Sequence, residues 1–175
     1  MRLILFAVLA ALTAGPSLAA PAKPAPAKPA PPNAAFDARD PAAVAAVLDS
    51  TGAKAERAKS AGGRVALKVV TPGGGFGAQF ANCDAKGKAC AGVAFSTGFG
   101  QRGPTLAHIN LFNRTQFACR GFLAEDGQPT VMYSTLLTAR MSSDDMKQHL
   151  GIWQGCLSAF AEFARDPVGF LASTS

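Results

Sequence analysis

The strongest constraint on the fold is an amphipathic segment near the C-terminus. From a capping Ser142 or Ser143 to about Arg165, apolar side chains recur at three- and four-residue spacing, the period of an α-helix. The stripe consists of Met146, Leu150, Trp153, Leu157, Phe160 and Ala164. Polar side chains occupy the opposite side, so another layer of structure must cover one face of this helix.

Runs typical of β-strands precede this helix and are separated by turn residues. They lie at 53–59, 64–70, 76–82, 90–96, 116–124 and 130–137. Two shorter helices are predicted. One begins at the capping Asp40 and ends at Gly52, and the other spans 105–115. The order predicts an α+β fold, an antiparallel sheet with N-terminal, middle and long C-terminal helices packed on it.

The first residues, MRLILFAVLAALTAGPSLAA, have the pattern of an export signal. A basic Arg2 precedes an apolar run from Leu3 to Ala14, and a small-x-small site predicts cleavage after Ala19. The run is too short to span a bilayer of about 30 Å, although an uncleaved anchor is the alternative. We expect signal peptide 1–19, no membrane insertion after cleavage, and a periplasmic or secreted protein.

A segment rich in Pro and Ala, residues 20–35, follows the signal. Six of the twelve prolines lie within 21–32, which predicts an extended tether, either a spacer or a ligand for a proline-binding groove. Residues 36–175 are expected to form a single domain. From Phe36 onward, 14 Lys and Arg face 11 Asp and Glu, a net charge of +3, and the basic residues are scattered. The sequence therefore predicts no nucleic-acid partner.

The spacing of the four cysteines indicates disulfides rather than a metal or redox site. Their spacing lacks the paired CxxC of a zinc or thioredoxin-like motif, and the two histidines are isolated. A hairpin loop over 84–89 would bring Cys83 and Cys90 together. In an oxidising compartment they should bond, which stabilises the fold by roughly 2.5 kcal/mol.

Cys119 and Cys156 leave two alternatives open. A bridge between the predicted strand and the final helix would contribute about 4 kcal/mol, and export favours it. The other interpretation is two buried thiols that pack as small hydrophobic groups.

The sequence contains no recognisable catalytic motif. GxSxG is absent, and the glycine run at 72–77 lacks the GK[ST] ending of a phosphate-binding loop, so we interpret it as a turn. The other candidates are interpreted as structural or unused: a helix start at Asp144-Asp145, a turn at Glu125-Asp126, isolated His108 and His149, and an Asn113 sequon. We predict a protein that is not an enzyme, with no catalytic, cofactor-binding or metal residues.

From Phe36 to about Phe163 the order of features resembles the YbjN family of bacterial sensory transduction regulators. The segments that carry the resemblance are FGAQFANC at 76–83 followed by Cys90 and VAFSTGF, HINLFNRTQF at 108–117, the hairpin at 122–137, and Trp153 with Phe160. Phe112 stands where the family commonly has Trp. The resemblance implies a fold similar to type III secretion chaperones, and it supplies no established catalytic residues.

The function that this resemblance implies is binding or regulation through protein–protein contacts in the bacterial envelope. The alternative is a secreted inhibitor or binding protein for an envelope hydrolase. Such a protein would present a protruding loop, for which the segment TGFGQRGP with Arg102 is the candidate.

A candidate partner surface lies at the margin of the final helix. Its apolar arc covers roughly 180°, more than the 100° or so that packing on a sheet needs. Ile152 and Phe163 lie near this margin. Either the N-terminal helix or the GFLA segment at 169–172 covers them, or they contact a protein partner, which could be a second copy in a homodimer or a client segment.

Overall fold

Six strands and four helices make up residues 35–58, 64–100 and 103–174, which the computed structural model describes. The strands are β1 Lys54–Ala58, β2 Val65–Thr71, β3 Gly74–Ala81, β4 Gly92–Gly98, β5 Arg120–Leu123 and β6 Pro129–Leu136. The helices are α1 Pro41–Ser50, α2 Leu106–Thr115, α3 Ser143–Arg165 and α4 Pro167–Ser173. The predicted signal peptide, nearly all of the tether and Arg102 lie outside the described residues, and the predicted domain boundaries stay predictions.

The strands form one sheet in the order β1-β2-β3-β4-β6-β5, and every neighbouring pair is antiparallel. A single register line runs across its centre, from Leu67 through Ala78 and Phe95 to Tyr133. Together with the helices, this sheet confirms the predicted α+β fold. The likeness to type III secretion chaperones stays a prediction.

The core lies between one face of the sheet and the helices. Alternate residues of the central strands are buried there: Leu67, Val69, Phe76, Ala78, Phe80, Val93, Phe95, Val131 and Tyr133. Trp153 of α3 packs on them, with its ring centroid 5.5 Å from that of Phe76 and 6.2 Å from that of Phe95. Helix α3 therefore packs on the centre of the sheet, as its stripe predicts.

A second aromatic cluster joins α2, α3 and α4. The ring of Phe112 lies 5.1 Å from Phe160, 4.7 Å from Phe163 and 5.8 Å from Phe170, measured between centroids. Phe112 and Phe163 are fully buried. Each such side chain contributes about 2 kcal/mol through removal of apolar surface from water.

The helix ends follow the capping chemistry predicted from the sequence. The Asp40 carboxylate accepts a hydrogen bond from the backbone N–H of Ala42. Ser142 and Asp145 form a reciprocal capping box at the start of α3. Gly52 lies just beyond the C-terminal cap of α1 and has a φ of +85°, a conformation that glycine adopts without steric cost.

Two segments differ from the sequence prediction. Strand β5 begins at Arg120 rather than near Gln116, because the Arg120 guanidinium donates to the carbonyls of Gln116 and Cys119 and so diverts them from a ladder. Helix α4 was not predicted. It begins at Pro167, which suits the first turn of a helix, and its aromatic Phe170 packs on the second cluster.

Candidate functional site

The helices leave one face of the sheet uncovered. Residues of β2, β3, β4 and β6 that alternate with the core residues point to this side, and none of the described helices packs on it. We call this surface the open sheet face: Ala66, Lys68, Gly77, Gln79, Ala94, Ser96, Met132, Ser134 and Leu136. It is a surface of regular backbone that the described helices leave free to meet a partner.

Small side chains occupy the middle of the open sheet face. In the register, Gly77 pairs with Ser96 and Ser96 with Met132, while Ala94 pairs with Ser134. Because Gly, Ala and Ser project so little, a bound molecule could approach the strand backbone closely here. Leu136 stands at the end of β6 and is 76% exposed.

A groove of about 660 Å³ crosses the ends of β3, β4 and β6 on this face. Its lining includes Gln79, Asn82, Ser134 and Leu136, with Arg64 at one side. The side chains of Gln79, Asn82 and Ser134 form no hydrogen bond with any described residue. The groove, called here the face groove, thus combines an apolar contact with free hydrogen-bonding groups.

A basic cavity of about 580 Å³ adjoins the face groove and shares Arg64 and Cys83 with it. Arg57 and Lys86 also line it, and within the described ranges none of these three cations forms an ion pair. Asp84 also lines the cavity, and its carboxylate accepts hydrogen bonds from the backbone N–H groups of Lys86 and Lys88 in its own loop. With three cationic side chains and one carboxylate in its lining, the cavity carries a net positive charge.

The loop beside these cavities is held by the predicted Cys83–Cys90 bridge. The structure places the two sulfur atoms 2.11 Å apart. Lys88 of the loop pairs with Asp40 at 2.8 Å, and its hydrogen bond to that carboxylate raises the pKa of Lys88. The backbone N–H of Cys90 donates to the Arg39 carbonyl, so the loop is fixed to the start of α1.

Cys119 and Cys156 are also joined, with the sulfur atoms 2.06 Å apart. Of the two alternatives left open by the sequence, the structure has the bridge rather than two free thiols. It ties the segment before β5 to α3 across the core. Two disulfides are consistent with a location outside the cytoplasm.

The isolated histidines have structural partners. His108 completes a capping box with Thr105 at the start of α2. Nδ1 of His149 lies 2.5 Å from the Tyr133 hydroxyl, and burial raises the pKa of Tyr133. The described residues contain no group of His, Cys, Asp or Glu arranged for a metal ion.

The remaining motifs also have structural positions. Pro72 and Gly73 form the turn between β2 and β3, as predicted for the glycine run. Asp126 accepts a hydrogen bond from the Gln128 backbone in the turn between β5 and β6. The Asn113 carboxamide is bonded to Gly121 of β5.

The two residues of the predicted partner surface are separated by the fold. Phe163 is fully buried against Phe170, so of the two alternatives the structure has the one in which the C-terminal segment covers this residue, and Phe163 is not available to a partner. Ile152 is 42% exposed. Phe163 is covered because helix α4 folds back against α3. The periodicity of α3 alone does not indicate where the segment that follows it packs.

A smaller cavity of about 260 Å³ lies between α1, α3 and the β2–β3 turn. Trp153 lines it, but the indole N–H is itself buried and has no acceptor among the described residues. The cavity thus offers mainly apolar contact.

No helix within the described ranges is long and apolar enough to cross a membrane.

The sequence reasoning missed the open sheet face and the basic cavity. The signal for the face was present as small or polar residues at every second position in GGFGAQFA and GVAFSTG. Alternation alone does not say which side a helix covers. The basic cavity unites Arg57, Arg64 and Lys86 from two strand ends and a loop, which no local pattern connects.

A sheet packed by helices on one side and open on the other defines an α+β domain with one free sheet face. The chain belongs to the YbjN family, whose model, described as "Putative bacterial sensory transduction regulator", matches residues 40–165. This confirms the resemblance found in the sequence and indicates a regulatory or binding role. No curated protein and no solved structure matches the chain significantly.

Proposed function

We propose that this chain is an exported, non-enzymatic YbjN-type regulatory protein of the bacterial envelope that acts through protein–protein contacts. The observation that carries the proposal is the open sheet face with its groove of about 660 Å³. An uncovered face of regular strands with free polar side chains suits a protein partner, because most specific interfaces combine apolar contact with hydrogen bonds.

The envelope location is supported by two features. The first residues have the three parts of an export signal, with cleavage expected after Ala19. All four cysteines are paired, which favours an oxidising compartment. The intact mass of the periplasmic protein tests this part, and a periplasmic chain that retains Met1 would contradict cleavage.

Site-directed photo-crosslinking in the native host tests the contact surface. Photoreactive benzoylphenylalanine in place of Ser134 reports on the open sheet face, and the same residue in place of the exposed Ser158 of α3 is the matched control. We expect a discrete adduct with one protein from position 134 and none from position 158. The purified adduct partner should also bind the wild-type chain in solution.

Leu136→Asp provides the second arm, because it places a charge at the exposed edge of the groove without disturbing the core. It should weaken the adduct from position 134. Adducts only from position 158, or none from either position, would overturn the proposal. A partner identified as a hydrolase that loses activity on binding would instead establish the inhibitor alternative.

A further inference from the structure

Exposed apolar side chains concentrate in the segment that runs from α2 to β5. Among the described residues eight large hydrophobic side chains are exposed, and four of them lie within 106–122. These four are Leu106, Leu111, Phe117 and Phe122. Phe117 is 100% exposed, so folding buries almost none of this residue. Removal of such a ring from water is favourable, and this surface therefore gains free energy from an apolar partner.

The loop that presents Phe117 is held in place. Gln116 caps the C-terminus of α2 through its backbone N–H. The Arg120 guanidinium lies 3.0 Å from the carbonyl oxygen of Gln116 and 3.5 Å from that of Phe117, and Cys119 is bonded to Cys156 of α3. Because the backbone is already fixed, a partner that takes up the Phe117 ring does not have to order the loop as well.

Positive charge surrounds the exposed ring. Residues 105–124 include Arg114 and Arg120 but neither Asp nor Glu. Both arginines are exposed, and neither forms an ion pair within the part of the chain that the structure describes. Leu111 and Arg114 are neighbours on the exposed side of α2 near its end, and Arg120 adjoins the loop of Phe117. We call these four residues the α2-end patch: Leu111, Arg114, Phe117 and Arg120.

We propose that the α2-end patch binds the surface of an anionic phospholipid bilayer. The Phe117 ring enters the boundary between headgroups and acyl chains, and Leu111 follows it. The guanidinium groups of Arg114 and Arg120 bind lipid phosphates, to which Arg can donate parallel hydrogen bonds. This inference is independent of the proposed function, because the patch lies beside the edge strand β5 and not on the strands that form the open sheet face.

The shape and charge of the patch favour a lipid surface over a folded protein. Its residues line neither the face groove, nor the basic cavity, nor the smaller cavity beside Trp153. The fully exposed Phe117 ring therefore projects from the surface instead of bordering one of these clefts. A fluid bilayer adapts to a projecting ring, whereas a protein would need a pocket of matching shape. An anionic leaflet also offers phosphates to both arginines wherever the ring enters.

Sedimentation with sucrose-loaded vesicles tests the inference on the mature protein, which by the proposed cleavage lacks the apolar residues 3–14. One set of vesicles contains phosphatidylglycerol and phosphatidylcholine in equal parts, and the other contains phosphatidylcholine alone. We expect half of the protein to bind the anionic vesicles at about 1 mM lipid. The neutral vesicles should bind it at least about tenfold more weakly.

Single substitutions separate the patch from general hydrophobicity and net charge. Phe117→Ser should weaken binding to the anionic vesicles about tenfold or more, because the contribution of one buried ring is lost. The matched pair Leu111→Ser and Ile152→Ser changes two helix residues of nearly equal exposure, 41% and 42%, and only the first should weaken binding. Arg114→Gln should weaken it about fivefold. Arg57→Gln on β1, at the opposite edge of the sheet, should change it less than about twofold.

Benzoylphenylalanine in place of Phe117 identifies the contact directly in the native host. We expect an adduct whose added mass is that of a phospholipid. A discrete protein adduct at position 117 without a lipid adduct would overturn the inference and assign the patch to a protein partner. Equal losses in Leu111→Ser and Ile152→Ser, or no binding to the anionic vesicles at about 10 mM lipid, would overturn it as well. The proposed function does not depend on these results, since its test is the adduct at position 134.

Discussion

The side chain of Asn113 serves as a strand partner for Gly121. Its Nδ2 donates to the Gly121 carbonyl at 3.0 Å, and the Gly121 N–H donates to its Oδ1 at 2.7 Å. Gly121 lies on β5, an edge strand, so the carboxamide satisfies both backbone groups that face away from β6. Unpaired groups of this kind invite pairing with another chain.

Asn113→Ala should destabilise the protein by about 2 kcal/mol, because a half-buried N–H and C=O lose their partners together. Chemical denaturation followed by circular dichroism measures the loss. Asn110→Ala, at an exposed position of the same helix, is the control and should change the free energy of unfolding by less than about 0.5 kcal/mol. Equal losses in the two variants would contradict the assigned role.

Gly121→Ala tests the packing of β5 on the second aromatic cluster. A Cβ at this position would lie 2.7 Å from Cε2 of Phe160, which is fully buried and held by other rings. We expect a loss of about 1–3 kcal/mol. Gly155→Ala on α3 meets nothing within 4 Å and should instead gain up to about 1 kcal/mol from helix propensity. Melting temperatures of the two variants should move in opposite directions.

Removal of either disulfide should destabilise the protein in proportion to the loop that it closes. The sequence separations are 7 for Cys83–Cys90 and 37 for Cys119–Cys156, which correspond to about 2.5 and about 4 kcal/mol in the chain-entropy model. Paired Cys→Ala variants unfolded in denaturant measure this order. Reductant should lower the free energy of unfolding of the wild type toward that of the variants. Thiols that can be alkylated in the oxidised native protein would contradict both bridges.

The capping box of α3 should depend on pH. Hydrogen bonds from the backbone N–H of Ser142, then from its hydroxyl, hold the pKa of Asp145 below its ordinary value. Since the folded pKa is the lower one, the contribution is present above about pH 4 and is lost as the pH falls through the folded pKa. The melting temperature of wild type should therefore fall more steeply in acid than that of Asp145→Asn.

Glu125→Gln is the control for this pH series, because Glu125 accepts no hydrogen bond from the described residues of its turn. It should keep the slope of wild type. If Asp145→Asn keeps that slope as well, the capping carboxylate does not carry the acid dependence.

Of the two residues predicted to form a partner surface on α3, only Ile152 is exposed. Because Phe163 is buried beneath Phe170, an isolated isoleucine that is 42% exposed is what remains of that margin. We expect Ile152→Asp to leave the molar mass unchanged in light scattering and the stability within about 0.5 kcal/mol. A dimer of wild type that the variant loses would contradict this and restore the predicted self-association.

Features that depend on neighbouring residues were predictable from the sequence. The stripe from Met146 to Ala164 predicted α3, and the caps, Asp40 for one helix and Ser142 or Ser143 for the other, predicted where two helices begin. The hairpin around Cys83 and Cys90 followed from a loop short enough to close on itself. Each signal is local, because capping, periodicity and turns involve residues a few positions apart.

The tertiary structure decided which surfaces are covered. It buried Phe163 under Phe170, joined Cys119 to Cys156, and turned the Asn113 carboxamide toward Gly121. It also left one face of the sheet open and brought Arg57, Arg64 and Lys86 to a single cavity. These outcomes depend on the packing of segments distant along the chain, and the alternation of residues in a strand is the same whichever face the helices cover.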